Sequence, residues 1–310
     1  MIDYLDPDVA YLVGMIAARG VFSQKNNIRK IIITFPFKNL IAIGITKKFD
    51  QQTHLHISVD KIRKRVQELL EVPVDVVSTN TSFQLIISFQ RNTLFWRNLK
   101  FLMQNKNSYR EFRVPPQIIE ADETIQKEFI RGFADVAGYI RESNNYMNGK
   151  RRVYLEVQNE NWFIPIDICY LLQEKLNVPV QLIQWGHPNT REPYRQSKGE
   201  SWAREHQIKI FSEAFQDIGF YVDYKQEILE EFIKEDRNLP PKIQRCNPNP
   251  KIRKIRKKPK HPDENSSRLP DCLRGRHFDA PWQICLKLGC KQKKKVATPQ
   301  LEIFPDEEVI

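Results

Sequence analysis

A nine-residue pattern occurs twice in this chain and constrains its fold more than any other feature. Leu12-Val13-Gly14-Met15-Ile16-Ala17-Ala18-Arg19-Gly20 and Ile130-Arg131-Gly132-Phe133-Ala134-Asp135-Val136-Ala137-Gly138 each read as a helix that ends on a glycine and feeds a strand. Gly14 with Ala18, and Gly132 with Val136, put small or modest side chains at i and i+4, so the two helices can approach closely along one seam. A helix pair of this kind would join two versions of one domain about a pseudo-twofold axis.

The order of elements around each copy repeats as well. After the first copy, residues 21–35 are rich in Ile, Phe and Thr around Lys25-Asn26-Asn27 and predict a hairpin. Residues 59–70 predict a helix with Val59, Ile62, Val66, Leu69 and Leu70 on one stripe and Lys61, Arg63, Lys64 and Arg65 on a wet basic face. Strands at 74–79 and 82–90 follow; in the second, Phe83, Leu85, Ile87 and Phe89 alternate with Ser82, Gln84, Ile86 and Ser88, a sheet with one buried face. A helix at about 93–104 closes the unit. Val114-Pro115-Pro116 breaks the chain, and a helix from about Ile118 leads into the second copy. A hairpin with Val153, Leu155 and Val157 on one face comes next, then a helix near 166–176, strands near 180–185 and 207–211 with a long loop from Trp185 to Ser201 between them, and closing helices to about Asp236.

The expected class is therefore α+β, two αββαββα repeats at 1–113 and 114–236, each with a four-stranded antiparallel sheet. Its 310 residues and 41% apolar content suffice for two packed cores. No run of about 18 apolar residues predicts a membrane span, and Met1-Ile2-Asp3-Tyr4-Leu5-Asp6 lacks the order of a signal peptide, so a cytoplasmic location is expected. The five cysteines are expected to be free thiols or metal ligands, not disulfides.

Charge separates a third region. Residues 237–310 carry 18 Lys and Arg against 8 Asp and Glu, a net of +10 within the chain's +11. Seven of the ten residues 251–260 are basic and prolines punctuate the segment, which predicts a largely flexible arm suited to non-specific phosphate attraction. Within it, Cys272, His277, Cys285 and Cys290 could close a structural zinc site in a small module at 269–290. Their spacing is unusual for zinc, and an apolar hook around Phe278 and Trp282, able to dock on a protein partner, is the alternative.

The two motifs, the repeated helix and hairpin order, and the lead-ins Asp6-Pro7-Asp8-Val9-Ala10-Tyr11-Leu12 and Thr124-Ile125-Gln126-Lys127-Glu128-Phe129-Ile130 together resemble the LAGLIDADG homing endonuclease family, as a single-chain, two-repeat member, over about residues 7–236. The resemblance implies a monomer whose paired sheets sit in the major groove of double-stranded DNA, and Mg²⁺-dependent cleavage by ions held by one acid from each motif helix. That acid stands immediately before the last motif glycine, where this chain has Arg19 and Ala137. Neither offers the oxygen ligand that Mg²⁺ needs, and Arg19 puts a fixed positive charge in its place. Asp135 is the only acid in either motif; two residues, about 200° of helix, turn it away from the direction of Ala137, and a structural hydrogen bond is its expected role.

Side chains that pair donors with acceptors read base edges, and cations hold phosphates. On the polar strand faces Ser82, Gln84 and Ser88 in the first half, and Arg152, Tyr154, Gln158, Gln207 and Lys209 in the second, are the candidate DNA contacts, with Lys25, Arg29 and Lys30 at the first hairpin. Each also fits an ordinary solvated strand. His187 reads as a loop residue. Three functions follow: sequence-specific duplex binding on a catalytically degenerate fold, a metal-dependent nuclease using other acids or a partner subunit, and an RNA-binding intron maturase.

Overall fold

The computed structural model of the protein describes residues 6–25, 28–40, 51–89, 94–142, 151–188 and 204–237. The basic arm, the Cys272/His277/Cys285/Cys290 set and most of the expected 185–201 loop lie outside the described residues.

Two helices form the centre. In α1 (Pro7–Arg19) the Asp6 side chain accepts from the Asp8 N–H at 2.7 Å and a proline opens the first turn; in α6 (Glu123–Ala137) Asp122 accepts from the Ile125 N–H at 3.0 Å. Both end alike: Gly20 donates to the Ile16 carbonyl and Gly138 to that of Ala134, and both then leave in extended conformation, so a strand starts at each glycine. Every residue of α1 from Val9 to Arg19 is buried, as expected of a helix enclosed on all sides. The seam between them is reciprocal. A Cβ on Gly14 would meet the Phe129 carbonyl oxygen at 2.0 Å, and one on Gly132 would meet that of Tyr11 at 2.1 Å.

The first half continues through β1 (Gly20–Lys25), β2 (Ile28–Pro36), α2 (Phe37–Leu40), α3 (Gln51–Leu70), β3 (Val74–Ser78), β4 (Ser82–Phe89) and α4 (Leu94–Leu102). The second runs α5 (Pro116–Glu120), α6, β5 (Gly138–Glu142), β6 (Arg151–Gln158), α7 (Ile164–Tyr170) with a π-helical turn at Leu171–Lys175, β7 (Val180–Pro188), β8 (Arg204–Phe211) and α8 (Asp223–Arg237). The sheets have matching antiparallel orders, β1-β2-β4-β3 and β5-β6-β8-β7. Ile31, Ile33 and Phe35 of β2, Phe83, Leu85, Ile87 and Phe89 of β4, Val153, Leu155 and Val157 of β6, and Ile208 and Ile210 of β8 join the helices in one core. Each such side chain stabilises the fold by about 1.5–3 kcal/mol.

The expected α+β repeats are present, with local differences. The helix leading into the second motif is two helices, because Asp122 starts a new one; Gln126 Nε2 donates to the Ile119 and Ala121 carbonyls at 2.8 Å each and satisfies the end of α5. Strand β7 runs on through Trp185 to Pro188, with register shifts between Val180 and Leu182 and between Gln184 and His187, and Gly186 takes φ +58°. His187 is thus a strand residue and not a loop one, and β8 begins three residues before the expected 207. The basic face of α3 is not wholly wet. Arg65 lies between two rings, its Cζ 4.2 Å from the Tyr11 centroid and 4.7 Å from that of Tyr221, and pairs with Asp8 at 2.5 Å and Glu128 at 3.2 Å.

Asp135 is fully buried and accepts from Tyr11 Oη at 2.7 Å and from the Tyr221 and Val222 N–H groups at 3.1 and 3.3 Å, the structural role expected of it. Beside it, Lys225 Nζ donates to the carbonyls of Ala134, Asp135 and Gly138 at 3.3, 2.7 and 2.8 Å and caps the C-terminal end of α6. Among the described residues no helix is long and apolar enough to cross a membrane.

Candidate nucleic-acid interface

Strand alternation gives each sheet a face turned away from the helices. The registers make the two faces directly comparable. Gly20 pairs with Ile33 and Ile33 with Leu85, just as Gly138 pairs with Leu155 and Leu155 with Ile208. Arg141 therefore corresponds to Ser23, Arg152 to Lys30, Tyr154 to Ile32, Glu156 to Thr34, Glu205 to Ser82, Gln207 to Gln84 and Lys209 to Ile86. The faces share a frame and one glutamine, and little else. The first is nearly neutral; the second is densely charged.

In the first half Lys30, Gln84 and Ser88 stand half-buried on this face, and exposed Lys25 lies at its edge. Arg29 has the parity of Ile31 and Ile33 and so belongs to the helix-side face. Ser82 is bound in the β3–β4 turn, its Oγ 2.9 Å from Thr79 Oγ1 and its N–H donating to that same oxygen at 3.0 Å. In the second half Arg152, Tyr154, Gln207 and Lys209 come together on one face with half-buried Gln158 at its end. They are not wet: Arg152, Tyr154, Gln207 and Lys209 are 5, 1, 3 and 9% exposed. Tyr139 stacks on Tyr154 at 4.9 Å, Gln207 Nε2 donates to Tyr139 Oη at 3.2 Å and to Glu205 Oε1 at 2.8 Å, and Lys209 Nζ donates to Gln184 Oε1 at 2.5 Å.

An ion cluster joins the halves beside the motif-helix ends. Lys38, from α2 of the first half, places Nζ 3.1 Å from Glu156 Oε2 and 3.1 Å from Glu205 Oε2 on the second sheet. Arg19 Nη2 is 3.8 Å from the same Glu156 oxygen, and its Cζ lies 5.6 Å from the Tyr109 ring. Next to Lys38, Asn39 Nδ2 donates to the Val136 carbonyl at 3.5 Å. Glu156 is fully buried and Glu205 4% exposed, so both carboxylates depend on these cations.

The donor set does not suit a divalent cation. Arg19 and Ala137 supply no side-chain oxygen, and Glu156 and Glu205 converge on the Lys38 ammonium with Arg19 beside Glu156, so two cations already answer the two carboxylates. Among the described residues no group of three or more His, Cys, Asp or Glu side chains could hold a metal ion.

Lys38 and Glu205 were not legible as site residues. Lys38 follows β2 in Phe35-Pro36-Phe37-Lys38-Asn39, where no periodicity marks it. Glu205 shares the parity of Gln207 and Lys209, and its recognition required knowing that β8 begins at Arg204.

No family model and no curated protein matches the sequence. Solved structures similar to this chain include full-length DUF199/WhiA from Thermatoga maritima, at 12% identity and a TM-score of 0.42, covering 77% of this chain and 63% of that one. This chain thus spans less than two thirds of that protein's length. The homing endonuclease I-WcaI bound to its DNA recognition sequence aligns at 11% identity and a TM-score of 0.42, covering 70% of this chain and 81% of its own. I-DmoI in complex with DNA and Mn aligns at 13% identity and a TM-score of 0.36, covering 66% and 90%.

Proposed function

We propose that this chain binds double-stranded DNA sequence-specifically through its two paired sheet faces and does not cleave it at the motif-helix ends. The observation that carries the reading is the pair of like sheets, hung from one reciprocal helix seam, whose faces turned away from the helices both carry half-buried side chains able to hydrogen-bond base edges: Gln84 and Ser88 in one half, and Gln158 in the other. The motif resemblance supports a duplex as the ligand. The second part of the reading rests on chemistry. Phosphodiester hydrolysis by metal ions needs anionic ligands free to hold them; the motif positions Arg19 and Ala137 bring no carboxylate, and Glu156 is engaged by Lys38 and Arg19 and Glu205 by Lys38.

The test is selection of bound duplexes from a random pool, followed by incubation of the enriched sequences with Mg²⁺ or Mn²⁺. Enrichment of a defined sequence that stays intact is the expected result. Metal-dependent double-strand breaks overturn the non-cleaving part, and failure to enrich any duplex, or preference for structured RNA, overturns the reading as a whole.

A further inference from the structure

Around Tyr154 the second sheet gathers three cations and no anion. Arg141 and Arg152 are cross-strand partners, as are Tyr154 and Lys209. Arg141 Cζ lies 4.9 Å from the Tyr154 ring centroid and Lys209 Nζ 5.3 Å from it, while Arg152 Cζ lies 5.7 Å from the Phe211 ring. Among the described residues no carboxylate forms an ion pair with any of the three. Arg152 Nε is buried and makes no hydrogen bond. The acids on the same face, Glu156 and Glu205, lie one and two rows further along and are engaged by Lys38 and Arg19. Ring faces attract cations, but they do not cancel two buried like charges beside a half-buried third. The consequence is visible at Lys209, whose amine burial and the adjacent Arg152 and Arg141 push down to about 8.

We propose that Arg141, Arg152 and Lys209 form a built receptor for one phosphate group, present in the second half only, which on the duplex is a backbone phosphate diester. This rests on the duplex-binding reading for its source, though not for its chemistry. Two guanidinium forks and an ammonium supply the donors a phosphate oxygen set takes. The corresponding positions Ser23, Lys30 and Ile86 in the first half bring one cation and an aliphatic side chain, so the feature belongs to this half and not to the shared frame. Arg141, on the edge strand β5, is half-buried, while Arg152 and Lys209 are buried.

An arriving anion favours the charged amine, so binding takes up a proton where Lys209 is partly neutral. The groups facing it are Arg141 from β5, Arg152 and Tyr154 from β6, and His187 from β7, whose own pKa is lowered by burial first and then by Lys209. The acids of this face do not intervene, since buried Glu156 and Glu205 sit beside Lys38.

The experiment titrates the full chain with orthophosphate by calorimetry, and measures affinity for a selected duplex against pH and salt, in the wild type, Arg141→Met, Lys209→Met and Lys209→Arg. Thermal melts establish that each variant folds. Orthophosphate should bind the wild type and not Lys209→Met. Duplex affinity should fall at least about fivefold between pH 7 and pH 9 in the wild type, and each Met variant should lower the salt slope by about one. Lys209→Arg should restore affinity and flatten the pH profile, which a merely structural lysine would not do. Unchanged duplex affinity, salt slope and pH profile in both Met variants overturn the receptor and leave the duplex reading standing. Orthophosphate binding by a chain that binds no duplex keeps the receptor and overturns the duplex as its source; absence of orthophosphate binding in the wild type overturns the receptor.

Discussion

Gly14 of α1 rests directly against the main-chain carbonyl of Phe129 in α6, with no room between them for a methyl group. Gly132 repeats the contact against Tyr11. Because the obstructing atoms are backbone, the helices must separate to admit a side chain. Gly14→Ala and Gly132→Ala should each destabilise the protein by about 2–4 kcal/mol despite alanine's better helix propensity. Urea unfolding measures this, and a loss below about 0.5 kcal/mol in either variant would show that the seam can open freely.

Lys38→Met should be among the most damaging changes outside the seam. It removes the ammonium that buried Glu156 and Glu205 share, a loss of about 3–5 kcal/mol for a broken buried ion pair. Adding Glu156→Gln and Glu205→Gln should recover much of it. No recovery in the triple variant would mean that Lys38 acts by packing α2 and not by charge.

His206 should make the fold acid-sensitive. Its Nδ1 accepts from the Gly186 N–H at 3.1 Å, so Nε2 is the protonated nitrogen and donates to the Asn159 carbonyl at 3.1 Å; Trp162 and Trp185 enclose the ring. Burial lowers its pKa to about 3 from 6.5. A depressed folded-state pKa means that the neutral ring's contribution is complete above pH 6.5 and is lost as pH falls toward 3, on the order of 4 kcal/mol in all. Melting temperatures of the wild type and His206→Gln between pH 7 and pH 4 check this, and parallel curves for the two proteins would contradict it.

Tyr11→Phe removes the shortest hydrogen bond to Asp135 while preserving the ring that Arg65 covers. A loss of about 1–3 kcal/mol is expected, because a buried carboxylate loses one of its donors. Asp135→Asn should cost at least as much, since Tyr221 and Val222 donate to both of its oxygens.

Much of the frame was readable from the chain itself. The paired glycines, the alternation in Phe83, Leu85, Ile87 and Phe89, and the stripe of Val59, Ile62 and Val66 are local patterns with local causes, and the elements they predict are present. The face of the second sheet was read only in part. Arg152, Tyr154 and Lys209 could be placed on one side by parity, but the contacts of Tyr139 and Arg141 with Tyr154 and of Gln184 with Lys209 are made only across strands. Lys38 lies 118 positions from Glu156 and 167 from Glu205, and no periodicity relates residues so far apart. Arg65 followed the helical pattern expected of a wet residue and was drawn between two tyrosines by a helix packing that the pattern does not encode.

The matched registers of the two sheets have a consequence for how this molecule could meet its ligand. One half presents isoleucines and a serine where the other presents arginine, tyrosine and lysine. A rotation that exchanges the halves preserves the backbone and scrambles the chemistry. A duplex recognised by such a surface is read in one direction only, so its sequence has no reason to be palindromic.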